Sequence, residues 1–318
     1  MNNSTVDIAK GINRKSNRNS LGQRILSHRT LYLFLAPTII YLAIFAYGPM
    51  YGVQIAFKNF NPAIGIWDSP WIGFQHFSDF IDGYNFKRLI ENTLTLSIYQ
   101  LVLGFPMPIL FALLLNEIRN QKYKKFIQTT LYAPHFISMV VLVGIIIIML
   151  SPSTGILNKL LVLLGFESQY FITQPGAFKH IYVLSGIWQS TGWNAIIYLA
   201  ALSGVDTQLH EAATIDGATR LQRIWHINIP SIMPTVMILL IMSVGSIASI
   251  GFEKAYLLQN PLNMDTSEII STFVYKRGLL DANYSYSTAV GLFNNVINII
   301  LLVLANFIAD KASGTSLF

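Results

Sequence analysis

The chain has 318 residues, 53% of them hydrophobic and only 11% charged, with a mean hydropathy of +0.50. Soluble domains carry about a quarter charged residues, so a soluble fold is excluded and the class is an all-α, polytopic integral membrane protein. The sequence has no cysteine, which excludes disulfides and thiolate metal sites, and its net charge of +6 matters less than where the cations fall.

Residues 1–30 read as a basic tail, without the apolar stretch and small-residue cleavage site expected of a signal peptide. The tail fits a lipid or partner site, or simply a segment held inside by its charge. Residues 31–318 read as one membrane domain. A helix needs about 20 apolar residues to cross the bilayer. About six segments reach that length: 31–50, 94–115, 131–150, 181–201, 234–252 and 288–308. Pro37, Pro106, Pro108, Gly192 and Gly245 interrupt them, as membrane bundles permit where neighbouring helices satisfy the freed backbone. No Asp, Glu, Lys or Arg falls near the middle of a span, which argues against a proton relay or a voltage sensor.

Six spans place both termini on one side. Thirteen of the 21 Lys and Arg lie on that side: Lys10, Arg14, Lys15, Arg18, Arg24, Arg29, Arg119, Lys122, Lys124, Lys125, Arg220, Arg223 and Lys311. The other side holds eight in longer segments, including Lys58, Arg88, Lys254 and Lys276. The positive-inside bias makes the termini cytoplasmic, and with them the loop 203–233.

That loop, containing "EAATIDGATRLQRIWHINIP", is too polar for a span and is patterned as two short helices. Asp206 precedes a run of good helix formers, and Leu209, Ala212, Ala213 and Ile215 can share one side of it. Gly217 suits the helix end because it tolerates backbone angles that other residues avoid. Leu221, Ile224, Trp225 and Ile227 or Ile229 recur at helical spacing, and Pro230 and Pro234 mark entry to the next span. An acidic, small-residue helix with Glu211 on display suits a groove on another protein better than a membrane surface.

The pattern Glu211-Ala212-Ala213, then Asp216-Gly217, Ile227 and Pro230, resembles the signature of permease subunits of binding-protein-dependent type I ABC importers. Ile229 stands where that family usually has Leu. Further stretches, "ENTLTLSI", "APHFISMVV", "GILN", "FEKAYLLQNP" and "YSYSTAVGLFNNVIN", are similar to its oligosaccharide and polysaccharide subgroup. The resemblance implies one half of a translocation pore, paired with a second permease. It implies two cytoplasmic ATPase subunits that bind ATP and Mg, an extracellular solute-binding protein, an oligosaccharide substrate, and a bacterial inner or plasma membrane as the location. The loop 203–233 would be the coupling element on the ATPase. The chain itself has no GxxxxGK[ST] phosphate loop and is expected to need no cofactor or metal, and nothing points to nucleic acid.

The resemblance also places the sugar path midway across the membrane, on the spans flanking the loop. Sugar sites combine aromatic faces with amides and hydroxyls. Gln189, Ser190, Trp193 and Asn194 qualify on the fourth span, Ser243, Ser246 and Ser249 on the fifth, and Asn294, Asn295 and Asn298 on the sixth. Packing between helices uses the same residue types, so both roles stay open. Glu253 and Lys254, at the outer end of the fifth span, suit a gate or, more simply, snorkelling to the interface. A secondary sugar transporter is the rival class. It would need ion-coupling carboxylates or unwound half-helices near midplane, and no span has such a carboxylate. The six dispersed histidines, including His210 beside Glu211, have no H-E-x-x-H spacing, which disfavours a membrane enzyme.

Overall fold

The structure is a computed structural model that describes residues 29–314 and 316–317; most of the basic tail lies outside them. The described residues are built of helices with no named strand. The chain divides into two compact units, one ending at Val53 and one beginning at Gln54. In chain order the helices used below are α1 (Arg29–Leu42), α2 (Gln75–Ile81), α3 (Phe86–Gly104), α4 (Pro106–Asn116), α5 (Gln121–Tyr132), α6 (Met139–Leu150) and α7 (Ile156–Leu163). There follow α8 (Pro175–Ser203), α9 (Thr207–Ile215), α10 (Arg220–Arg223), α11 (Ile229–Gly245), α12 (Phe252–Leu258), α13 (Ile270–Tyr275) and α14 (Tyr284–Ser313).

By length and apolarity, four helices can span a membrane: Arg29–Phe57, Phe86–Asn116, Arg220–Gly245 and Tyr284–Lys311. A fifth counts if the bent pair Gln121–Phe136 and Met139–Leu150 is one span. The 29-residue α8 is long enough, about 43 Å at 1.5 Å per residue. Gln189, Ser190, Thr191 and Asn194 keep its middle too polar for that count.

Two expected spans are drawn differently. The segment 131–150 is not straight, for its two halves meet at 100°. Pro134 lacks a backbone donor, and Ile137 and Ser138 are extended, with ψ of 125° and 151°, before α6 begins. The expected fifth span, 234–252, runs instead from Arg220 to Gly245 and stops there. Residues 246–251 form turns, and Phe252 opens the separate α12. The second half of the loop 203–233 is therefore part of the span. The helix passes Pro230 through a π segment, Ile224–Asn228, where the Ile229 N–H bonds the Ile224 carbonyl five residues back.

The buried faces carry polar as well as apolar residues, and apolar side chains face outward. On α3, Leu89, Asn92, Thr93, Leu96 and Ser97 are buried, while Ile98, Val102 and Leu103 are exposed. That is the arrangement lipid favours, since polar residues hold helices together where water does not compete. Asn92 donates to the carbonyls of Asp265 and Glu268, and Thr93 Oγ1 accepts from the Ile270 N–H at 3.0 Å, tying α3 to the start of α13 and the segment before it. Beside these bonds, Arg88 pairs with Asp265 and with Glu268 at 2.6 Å, and Lys276 also reaches Glu268.

Three apolar clusters fix the bundle. Leu96, Leu142, Val183 and Ala255 join α3, α6, α8 and α12. Ala112, Ala195, Tyr198 and Ile232 join α4, α8 and α11. Phe80, Leu89, Phe273 and Val290 join α2, α3, α13 and α14. Along α3–α4 and α8, the first two clusters leave the stretches around Gly104 and Trp193 between them.

Candidate functional site

A cavity of about 790 Å³ opens at that place. Its walls come from α3, α4, α8, α11 and the turns after α11, and include Gln100, Ser190, Trp193, Asn194, Tyr198, Ser243, Ser246 and Ser249. Six of the residues singled out in the sequence thus meet around one space: three from α8 and three serines from the end of α11 and beyond. The volume is in the range of small-molecule sites, roughly 300–1,000 Å³.

Trp193 is fixed on one side only. His135 stacks against it at 4.5 Å and 2°, and Phe136 meets it edge-on at 5.5 Å. Both partners come from the bend between α5 and α6, so the broken third span holds the tryptophan at the cavity wall. Asn194 is exposed and its amide makes no hydrogen bond among the described residues. Ser190 donates to the Gly186 carbonyl and Ser243 to that of Leu239, which leaves each oxygen able to accept. Gln100 and Ser97 also line the wall, and sequence reasoning missed both. Their signal was available: Gln100 lies one turn beyond buried Ser97 on the polar face of α3.

Other expected residues lie elsewhere. Gln189 points away from the cavity and donates to the Ile137 carbonyl at 3.1 Å, helping to fix the α5–α6 bend. Asn298 pins the broken end of α11, accepting from the Ala248 N–H and donating to Ser249, which Asn294 also contacts. Asn295 is exposed. Asn294 and Asn298 hold the turns after α11 in place. Glu253 is exposed and is not part of the wall. Lys254 does not snorkel: it is buried, at 5% exposure.

The loop 203–233 is a helix, a turn and a second helix. Asp206 caps α9 by accepting from the Gln208 N–H. Gly217 ends it with φ +76°, the Ala218 N–H bonding the Ala213 carbonyl at 2.8 Å and the Gly217 N–H that of Thr214 at 3.2 Å. This paired closure needs a left-handed residue at 217, which glycine provides without strain. Thr219 and Gln222 then cap α10 reciprocally. Glu211 is exposed and makes no ion pair among the described residues; Arg223 bonds Thr214 instead. Four apolar positions of the loop are left uncovered by the described residues, whereas Ile224, Ile229 and Ile232 pack into the bundle. Leu209, Leu221 and Trp225 are exposed, and Ile215 is 86% exposed. Ala212 and Asp216 are exposed, Ala213 and Ile227 half-buried, and Pro230 exposed at the start of the α-helical part of the span.

Residues 94–314 match the family described as binding-protein-dependent transport system inner membrane component. The chain belongs to that family. It is a membrane permease subunit of a binding-protein-dependent ABC transporter, not an enzyme. Among its relatives, protein LplB of Bacillus subtilis (strain 168) is 46% identical over 288 residues, 91% of each chain. The polygalacturonan/rhamnogalacturonan transport system permease protein YteP of the same organism is 43% identical over 298 residues, 94% of this chain and 93% of that one. A crystal structure of a bacterial ABC transporter involved in import of the acidic polysaccharide alginate superposes with a TM-score of 0.86 at 43% identity, covering 92% of this permease and 99% of that chain. A crystal structure of a bacterial alginate ABC transporter in complex with an alginate pentasaccharide-bound periplasmic protein gives 0.86 at 42% identity, covering 93% and 99%.

Proposed function

We propose that this permease forms one half of an oligosaccharide or polysaccharide pore, with the cavity as its sugar site and the loop 203–233 as the seat of an ATPase subunit. One observation carries the reading: the same two helices build the cavity and end in the loop. From Trp193, α8 runs unbroken to Ser203, about 15 Å. The loop follows, and the helical segment Arg220–Gly245 returns to Ser243 at the cavity. A displacement of the loop is transmitted along both helices to the sugar-lining residues. Relatives named for alginate and polygalacturonan transport support a polymeric sugar as the substrate class.

The partners are a second permease against the exposed apolar helix faces, two ATPase subunits that bind ATP and Mg at the cytoplasmic face, and a solute-binding protein outside. Glu211, Ala212, Ala213, Asp216 and Gly217 form the docked surface, and Ile227 and Pro230 carry it into the span. The exposed Leu209, Ile215 and Trp225 supply apolar area, and the unpaired Glu211 supplies charge for a basic ATPase residue. Both termini are cytoplasmic.

Pull-down through a tag on the permease tests the coupling. Glu211→Lys places like charges together at a desolvated contact, worth roughly 2 kcal/mol or more. The expected outcome is loss of most co-eluting ATPase and of transport, with normal membrane insertion. A matched Lys→Glu change on the ATPase should restore part of both. Gly217→Pro, which cannot adopt the φ of +76°, should uncouple in the same way but resist that rescue. Full retention of ATPase and transport by Glu211→Lys would refute the coupling role.

A further inference from the structure

Lys254 is a buried lysine for which the described residues provide no anion. It is 5% exposed and enters no ion pair or hydrogen bond among the described residues. Its ammonium lies over the Tyr182 ring, 4.3 Å from the centroid. That contact offsets only part of the hydration the group gives up. The acids nearest in sequence are not available to it: Glu253 is exposed, and Glu268 is held by Arg88 and Lys276.

The ammonium lies close to a residue of the cavity wall. A Cβ placed on Gly186 would lie 2.8 Å from Lys254 Nζ and 3.2 Å from Gln100 Oε1, so both side chains end over this glycine. Gln100 lines the cavity, and Ser190, one turn along α8 from Gly186, lines it too. Lys254 thus stands behind the cavity wall, separated from the space by Gln100, and the missing side chain at Gly186 makes the room for both.

We propose that Lys254 reads a carboxylate on the substrate, and that the oligosaccharide taken up is acidic, bearing uronate groups. The inference rests on the sugar-pore reading above. A uronate carboxylate at the Gln100 position of the wall would give the ammonium a charge-assisted partner in a poorly hydrated place. Such a bond is stronger than one to a sugar hydroxyl. Neutral sugars of the same shape would leave the lysine unpartnered.

The test uses the complete importer, with both permeases, the ATPase pair and the solute-binding protein, in proteoliposomes. ATP-dependent uptake is measured for short galacturonate and mannuronate oligosaccharides and for their neutral methyl esters. The same binding protein is used throughout, so its own preference cancels when variants are compared. Lys254→Met should lower uronate uptake by roughly tenfold or more while leaving ester uptake within about twofold. Gln100→Glu should remove the uronate preference with the lysine still in place, because it supplies an internal anion. The yield of assembled complex reports folding of each variant. Equal loss of uronate and ester, or an unchanged ratio in both variants, makes Lys254 structural and overturns the inference. Wild-type uptake of neutral sugars alone overturns it while the sugar pore stands. Uptake of no oligosaccharide at all overturns both.

Discussion

Trp193 is held in place at the cavity wall, where the proposed function gives it a sugar to pack against. His135 stacks parallel on one face of its ring, and the indole lines the cavity. A fixed aromatic face loses little further freedom when a sugar packs on it. Trp193→Ala should weaken the sugar contact by about 1 kcal/mol or more. Sugar concentrations for half-maximal stimulation of the ATPase should rise several-fold, with ATPase still bound to the permease. An unchanged concentration dependence would remove Trp193 from the site.

At the scale of elements, the bent third span is held against α8 by the absence of a side chain. A Cβ on Gly192 would fall on the Leu131 carbonyl, far inside contact distance. The backbone of α5 cannot yield as a flexible side chain would, so Gly192→Ala must push the two helices apart. Overpacking of this kind costs typically 1–3 kcal/mol. Thermal unfolding of the detergent-solubilised complex should show a lower midpoint, and sugar stimulation should weaken because His135 and Phe136 move with α5 and its bend. Gly144 on α6 has open space around it, so Gly144→Ala is the control expected to leave both unchanged.

For the whole molecule, orientation decides whether the loop 203–233 lies on the side where the proposed ATPase would dock. The protein has no cysteine, so single cysteines report without background. Thr207→Cys lies at the start of α9, and Leu262→Cys at an exposed position between α12 and α13. In intact cells an impermeant thiol reagent should label Leu262→Cys and spare Thr207→Cys until the membrane is opened. The reverse pattern would invert the topology and place the loop 203–233 where no ATPase could reach it.

Composition alone excluded a soluble fold, because too few charged residues are present to cover one. The loop 203–233 was also legible, since its signals are local: an Asp cap, a helical run, a Gly that accepts a left-handed φ. The cavity was legible in part. Ser190, Trp193, Asn194 and the three serines stand out as polar residues in apolar runs, but Gln189 stands out equally and serves the α5–α6 bend. Facing is set by helix rotation against neighbours, which one helix cannot encode. The break at 137–138 and the end of α11 at Gly245 escaped the apolar count, which registers residue type and not backbone direction. Lys254 is the clearest case. In sequence it is a lysine beside a glutamate at the end of an apolar run, where snorkelling is the ordinary outcome. Only the packing of α12 against α8, over Gly186 and Tyr182, buries the ammonium and turns it toward Gln100.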